Sequence, residues 1–182
     1  MKKILTMSLI VICMLYSEVA YSRKVRNIAS DNVYGGITKE ITYSPSQKEY
    51  QSGIISTIEY YDQNSMIHQI DTYFRDNHAT DTGVFLKKQF YNHDPMQKPL
   101  LKKAEFYYTS NYSDTQGLHR SEQIYNDEGI KIRAEFHFTE AWRKKKNYAK
   151  IEDYYDSNGE VYKRAYYDIT GNSISSEEKK PD

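Results

Sequence analysis

From residue 37 onward, apolar and polar residues alternate in short runs, and Asn, Asp and Gly separate the runs. A period of two places successive side chains on opposite sides of an extended strand. The pattern predicts strands over residues 37–43, 54–61, 66–74, 84–91, 100–108, 118–125, 130–138, 148–155 and 161–167. Separators such as Gly35-Gly36, Asn126-Asp127-Glu128-Gly129 and Asp156-Ser157-Asn158-Gly159 suit turns, because these residues accept positive φ or bond to their own backbone. No segment of this region shows a helical period. Sequential strands joined by short turns pair with their neighbours. The expected fold is therefore all-β, an antiparallel meander of about eight or nine strands, as a curled sheet or an open barrel.

The strands look alike. Lys102-Lys103-Ala104-Glu105-Phe106-Tyr107-Tyr108 parallels Ala149-Lys150-Ile151-Glu152-Asp153-Tyr154-Tyr155. Residues 56–62 and 131–138 are close relatives. Aromatic anchors at Tyr61, Phe74, Tyr91, Tyr108, Tyr125, Phe138, Tyr155 and Tyr167 recur at intervals of one strand and one turn, which points to tandem repeats. Alternation then assigns faces. Residues 130–138 put Ile130, Ile132, Ala134, Phe136 and Phe138 on one side, against Lys131, Arg133, Glu135 and His137. Leu100, Ala104, Phe106 and Tyr108 form another apolar side. In the last strand Val161, Ala165 and Tyr167 are expected inside, and Tyr162, Arg164 and Tyr166 outside. The strand ending at Tyr125 is polar on both sides and reads as an edge or frayed strand. For residues 54–61 the repeat buries Tyr61, whereas hydrophobicity buries Ile54 and Ile58.

The start of the chain breaks this pattern. Lys2 and Lys3 precede a mostly apolar run, residues 4–15, and Ala20-Tyr21-Ser22 offers small residues where a signal peptidase reads. The run is shorter than the roughly 20 residues of a spanning helix. Residues 1–22 are expected to be a cleaved signal peptide, 23–50 a segment with one strand, 51–172 the β-repeat domain and 173–182 a flexible tail. The only cysteine, Cys13, falls within the export segment, so the remainder has no thiol chemistry. Without Lys2, Lys3 and Glu18 the remainder carries 23 basic and 24 acidic residues. A neutral chain does not suit nucleic acid, which needs a cationic footprint. The expected location is the periplasm or the cell exterior.

Candidate chemistry is thin. The histidines (His68, His78, His93, His119 and His137) show no metal-ligand spacing, and no metal or cofactor is expected. Asp76, Asn77, Thr80, Asp81 and Gly83 read as a solvated Asx-rich turn rather than a calcium loop. No GxSxG elbow is present. Glu105, Glu135 and Glu152 recur at equivalent positions, which suits cross-strand ion pairing better than an acid–base pair. Two features suit binding. Trp142-Arg143-Lys144-Lys145-Lys146 would form a basic loop able to meet anionic lipid head groups or an acidic partner, or else a charged turn with its Trp packed on a strand. Tyr107, Tyr154, Tyr162 and Tyr166 would form an outward aromatic face for a protein or glycan.

Tyr155-Asp156-Ser157-Asn158-Gly159 followed by Tyr167-Asp168-Ile169-Thr170-Gly171-Asn172 resembles the tyrosine–aspartate (YD) repeats of secreted bacterial proteins and the bacterial MORN-variant repeats. The resemblance covers residues 149–172. It implies β-sheet strips or shells used for binding, encapsulation or toxin neutralisation, with no residue role transferred. The glycine-rich core of true MORN repeats is missing, so their lipid role is not implied. The expected function is an exported, non-enzymatic β-repeat protein acting as a binding or structural module. The alternatives are an immunity or inhibitor protein that neutralises a protein partner, and a barrel holding a small ligand.

Overall fold

A computed structural model describes residues 23–29, 31–92 and 98–178. The expected export segment, His93 and residues 179–182 lie outside the described residues. Eleven strands form one antiparallel sheet in chain order. They are β1 (Lys24–Ala29), β2 (Gly35–Thr42), β3 (Ile54–Asp62), β4 (Ile67–Phe74), β5 (Val84–Asn92), β6 (Leu100–Tyr108), β7 (Leu118–Tyr125), β8 (Lys131–Phe138), β9 (Lys150–Tyr155), β10 (Val161–Tyr167) and β11 (Ser173–Glu178). The sheet does not close, so it forms no barrel interior to hold a ligand. The pairing of β2 with β3 runs through the boundary expected at residue 50.

Three expectations are corrected. Residues 173–178 are a paired strand rather than a flexible tail, with Lys163 opposite Glu178 and Arg164 opposite Glu177. Two strands, not one, precede residue 50. β7 is not an edge: it pairs with β6 and β8, and its Glu122 is met by Arg120, Lys103 and His137 where an apolar side chain would otherwise pack. Four short helices also interrupt the meander: α1 (Lys48–Gln51), α2 (Asp76–Thr82), α3 (Ser110–Gln116) and α4 (Glu140–Lys146). Seven residues or fewer are too short to show a helical period.

The longer helices sit at one end of the sheet in a recurring arrangement. The backbone N–H of Arg75, Thr109 and Thr139 donates to the carbonyl of Gly53, Gly83 and Gly117, at 2.8, 2.8 and 2.7 Å. Each helix then places a ring over that same glycine: His78 over Gly53, Tyr112 over Gly83 and Trp142 over Gly117. Each ring also stacks on the last aromatic of the preceding strand, with centroids 4.5 Å apart for Phe74–His78, 4.9 Å for Tyr108–Tyr112 and 6.4 Å for Phe138–Trp142. Thr109 and Thr139 accept the N–H of Tyr112 and Trp142 and cap α3 and α4. Hence the structural unit is a hairpin plus a helix, two strands long rather than one.

The other end carries one turn, built repeatedly. An Asx side chain accepts the N–H groups two and four residues on. Asp62 holds Asn64 and Met66, Asn126 holds Glu128 and Ile130, Asp156 holds Asn158 and Glu160, and Asp168 holds Thr170 and Asn172, all at 2.8–3.0 Å. The residue three places after the Asx has positive φ: Ser65, Gly129, Gly159 and Gly171. The Tyr-Asp signature is thus a strand-ending aromatic followed by a self-capping turn.

Among the described residues the main packing runs between chain neighbours, within one layer. Among the described residues no large side chain is fully buried, and the buried apolar set is Ile41, Ala79, Ala104, Ala134 and Ala165. Asp71, Glu105, Glu152 and Asp153 are buried as well. The layer shields its middle rows with longer neighbours folded over them. Lysines do this across aromatic rings, as in Lys131 over Tyr155 at 3.7 Å, Lys150 over Tyr167 at 4.5 Å and Lys103 over Phe90 at 4.6 Å.

Candidate functional site

Strand register sorts the side chains into two faces. One face carries Ala104, Phe106, Ala134, Phe136 and Ile151, as alternation predicts. The opposite face carries a row of carboxylates. Asp71 lies across from Lys88, then follow Glu105, Glu122, Glu135 and Glu152 on β6 to β9, each directly opposite the next. Like charges in direct opposition destabilise a sheet. The row is tolerable because cations flank it on both sides.

Lys103 donates to Glu105 at 2.7 Å, and Arg133 lies 2.9 Å from Glu135. Arg120 pairs with Glu122. Lys150 donates to Glu152 at 2.5 Å and lies 3.6 Å from Glu135. His137 Nε2 stands between Glu122 and Glu135, 3.5 Å from each. Tyrosine hydroxyls close the ends: Tyr107 donates to Glu105 at 2.7 Å, while Tyr154 and Tyr167 donate to Glu152 at 2.5 and 2.8 Å.

These bonds move the titrations in one direction. The His137 ring 3.5 Å away, with Lys150 and Arg133 nearby, pulls Glu135 down to about 2 against burial. Burial alone would raise Glu105 and Glu152, but donation from Lys103 and Tyr107 to the first, and from Lys150, Tyr154 and Tyr167 to the second, leaves both lowered. The hydrogen bond to Glu152 is the main cause of the raised Tyr154 hydroxyl. A carboxylate lowered in the folded state stabilises the fold above its unfolded value and ceases to do so as pH falls through the folded value. Stability is therefore expected to drop as pH goes from about 4.5 toward 2. Glu135→Gln should flatten that part of a urea-midpoint profile against pH.

Glu122, Glu135 and His137 also gather three potential metal ligands within 4.8 Å. The spacing of residues did not reveal this group, because it forms only through the β7–β8 register. Arg120, Arg133 and Lys150 already hold the same carboxylates, so a cation would enter against fixed positive charge. The arrangement is an ion-pair network.

The four tyrosines expected on one face divide. Tyr107 and Tyr154 lie on the carboxylate face. Tyr166 lies opposite Ile151 on the other face, near Tyr148. Alternation fails at the bulge of β10, where Val161 pairs with Tyr155 and so leaves the side of Ala165. It also misses the match between β9 and β10, where Ala165 pairs with Glu152. Ile130 and Ile132, expected inside, are 39% and 41% exposed. Tyr162 is the unpaired residue of a bulge, 46% exposed, with its ring 6.4 Å from Tyr154. Residues 142–146 are not a loop but most of α4. Trp142 packs against Gly117 and Phe138, and only Lys144, Lys145 and Lys146 remain fully exposed, while Arg143 is half-buried. Asp76 to Thr82, expected as a turn, forms α2.

No protein-family model matches the chain, and a search of curated proteins finds no match.

Proposed function

We propose that this is an exported, non-enzymatic β-repeat protein that acts as a binding or structural module in the periplasm or outside the cell. One observation supports the non-enzymatic reading: Glu105, Glu135 and Glu152 sit in one row at equivalent strand positions, each tied to a cation and lowered in the same direction. General acid–base work needs unlike neighbours with separated pKa values. Export rests on the sequence of residues 1–22.

Recognition of a protein or glycan would use the carboxylate face, where Tyr107 and Tyr154 are held by their hydroxyls and lose little freedom on binding. The test is capture from the cell envelope. Tyr107→Ala with Tyr154→Ala should abolish it, while Tyr166→Ala, on the other face, should not. Equal capture by all variants would refute this surface.

An immunity or inhibitor role, using the same face, remains the second reading. Lipid binding through α4 loses its apolar anchor, because Trp142 is packed. Lys144 to Lys146 alone should give weak, salt-sensitive binding to anionic vesicles, abolished by changing all three to Gln.

A further inference from the structure

The two edges of the sheet are unlike each other. β1 and β11 are both six residues long, and their side chains over residues 23–28 and 173–178 are exposed. Among the described residues nothing pairs with the outer edge of either strand. Neither strand contains proline, and each has its one bulge at the end nearest its turn, at Ile28 and Ile174, so Lys24 to Asn27 and Ser175 to Glu178 keep regular register. Their charges are opposite. Arg23, Lys24 and Arg26 stand at the start of β1, and Glu177 and Glu178 at the end of β11.

We propose that β1 of one copy adds antiparallel to β11 of a second copy, placing Lys24 opposite Glu177, Val25 opposite Ser176 and Arg26 opposite Ser175. Two features favour the antiparallel direction. Antiparallel addition extends the pairing mode of all the described strands. It also lays the basic start of one strand beside the acidic end of the other. Parallel addition would instead set Glu177 and Glu178 beside Ile28 and Ala29.

Adding β1 antiparallel to β11 turns the incoming copy over. The face carrying Lys24 and Arg26, which is the carboxylate face through Arg26 opposite Glu40, then continues the face carrying Glu177, opposite Arg164. Only a register with Lys24 opposite Glu177, or one shifted by two residues, satisfies that inversion, because directly opposed residues point to the same side.

The internal pairings show that these residues work across strands. Arg26 lies 2.7 Å from Glu40, and Lys163 lies 3.1 Å from Glu178. Lys24 and Glu177 make no ion pair among the described residues. A basic edge meeting an acidic edge is a head-to-tail contact, which does not close and therefore builds an open strip with alternate copies inverted.

The test uses the protein as its own cells produce it, followed by sedimentation over a concentration series. Wild type should form multimers that weaken with salt. Glu177→Lys with Glu178→Lys should weaken association about tenfold or more, and so should Lys24→Glu with Arg26→Glu. Mixing the two variants should restore multimers, which also shows that both are folded. In a Cys13→Ser background, Val25→Cys with Ser176→Cys should give a ladder of disulfide-linked species on oxidation. Val25→Cys with Ser175→Cys, on opposite sides of the sheet, should not. A wild type that stays monomeric, reversals that leave association unchanged, mixtures that fail to associate, or equal cross-linking of both cysteine pairs would each overturn the proposal.

Discussion

Replacing Gly117 with alanine is expected to destabilise the fold by about 3 kcal/mol or more. Two effects add. Gly117 closes α3 at φ +75°, where an L side chain is strained by roughly 1 kcal/mol or more. A Cβ there would also lie 2.2 Å from Trp142 Cδ2, within the ring face. The indole cannot swing aside freely, because it is stacked on Phe138 and its helix is capped by Thr139. Gly159→Ala separates the two effects: φ is +80°, but nothing lies within 4 Å of the added atom. Its cost should stay near 1 kcal/mol. Urea midpoints at unchanged slope would measure both, and similar losses for the two variants would show that the Trp142 contact is not tight.

Arg164→Ala should cost about 3 kcal/mol. Asp153 is only 3% exposed, and Arg164 holds it with two bonds, Nε to Oδ1 and Nη2 to Oδ2, both 2.6 Å. Removing the guanidinium leaves a carboxylate with little water and no counter-charge, directly opposite Ala134. Asp153→Val together with Arg164→Met should recover most of the loss, because the penalty belongs to the stranded charge and not to the missing attraction. Failure of the double variant to recover would mean that Arg164 acts mainly by covering the sheet with its alkyl stem.

The meander was legible because its strands alternate and its turns announce themselves: nine of the sheet's strands follow from the spacing of Tyr, Phe and Asx. What escaped has physical causes. Ser173 to Glu178 carries one apolar residue, so no burial pattern marks it; it is ordered by pairing with β10. His78, Tyr112 and Trp142 gain meaning only when each is seen over a glycine some 25 to 30 residues earlier. Register between strands is not written in either strand alone. The split of Tyr166 from Tyr154, and the meeting of Glu122, Glu135 and His137, depend on it. That Glu105, Glu135 and Glu152 meet cations was legible because they recur at equivalent positions, but the expected cross-strand pairing is corrected. The short pairs run along one strand, Lys103 to Glu105, Arg133 to Glu135 and Lys150 to Glu152, while glutamates face each other directly across the strands.

Every strand in this molecule finds its partner in the next stretch of chain. Little loop entropy is spent before contacts form, so such a topology favours quick assembly from any hairpin outward. A chain threaded out of a narrow channel, N-terminus first, could add strand after strand as it emerges, with none waiting for a segment still inside.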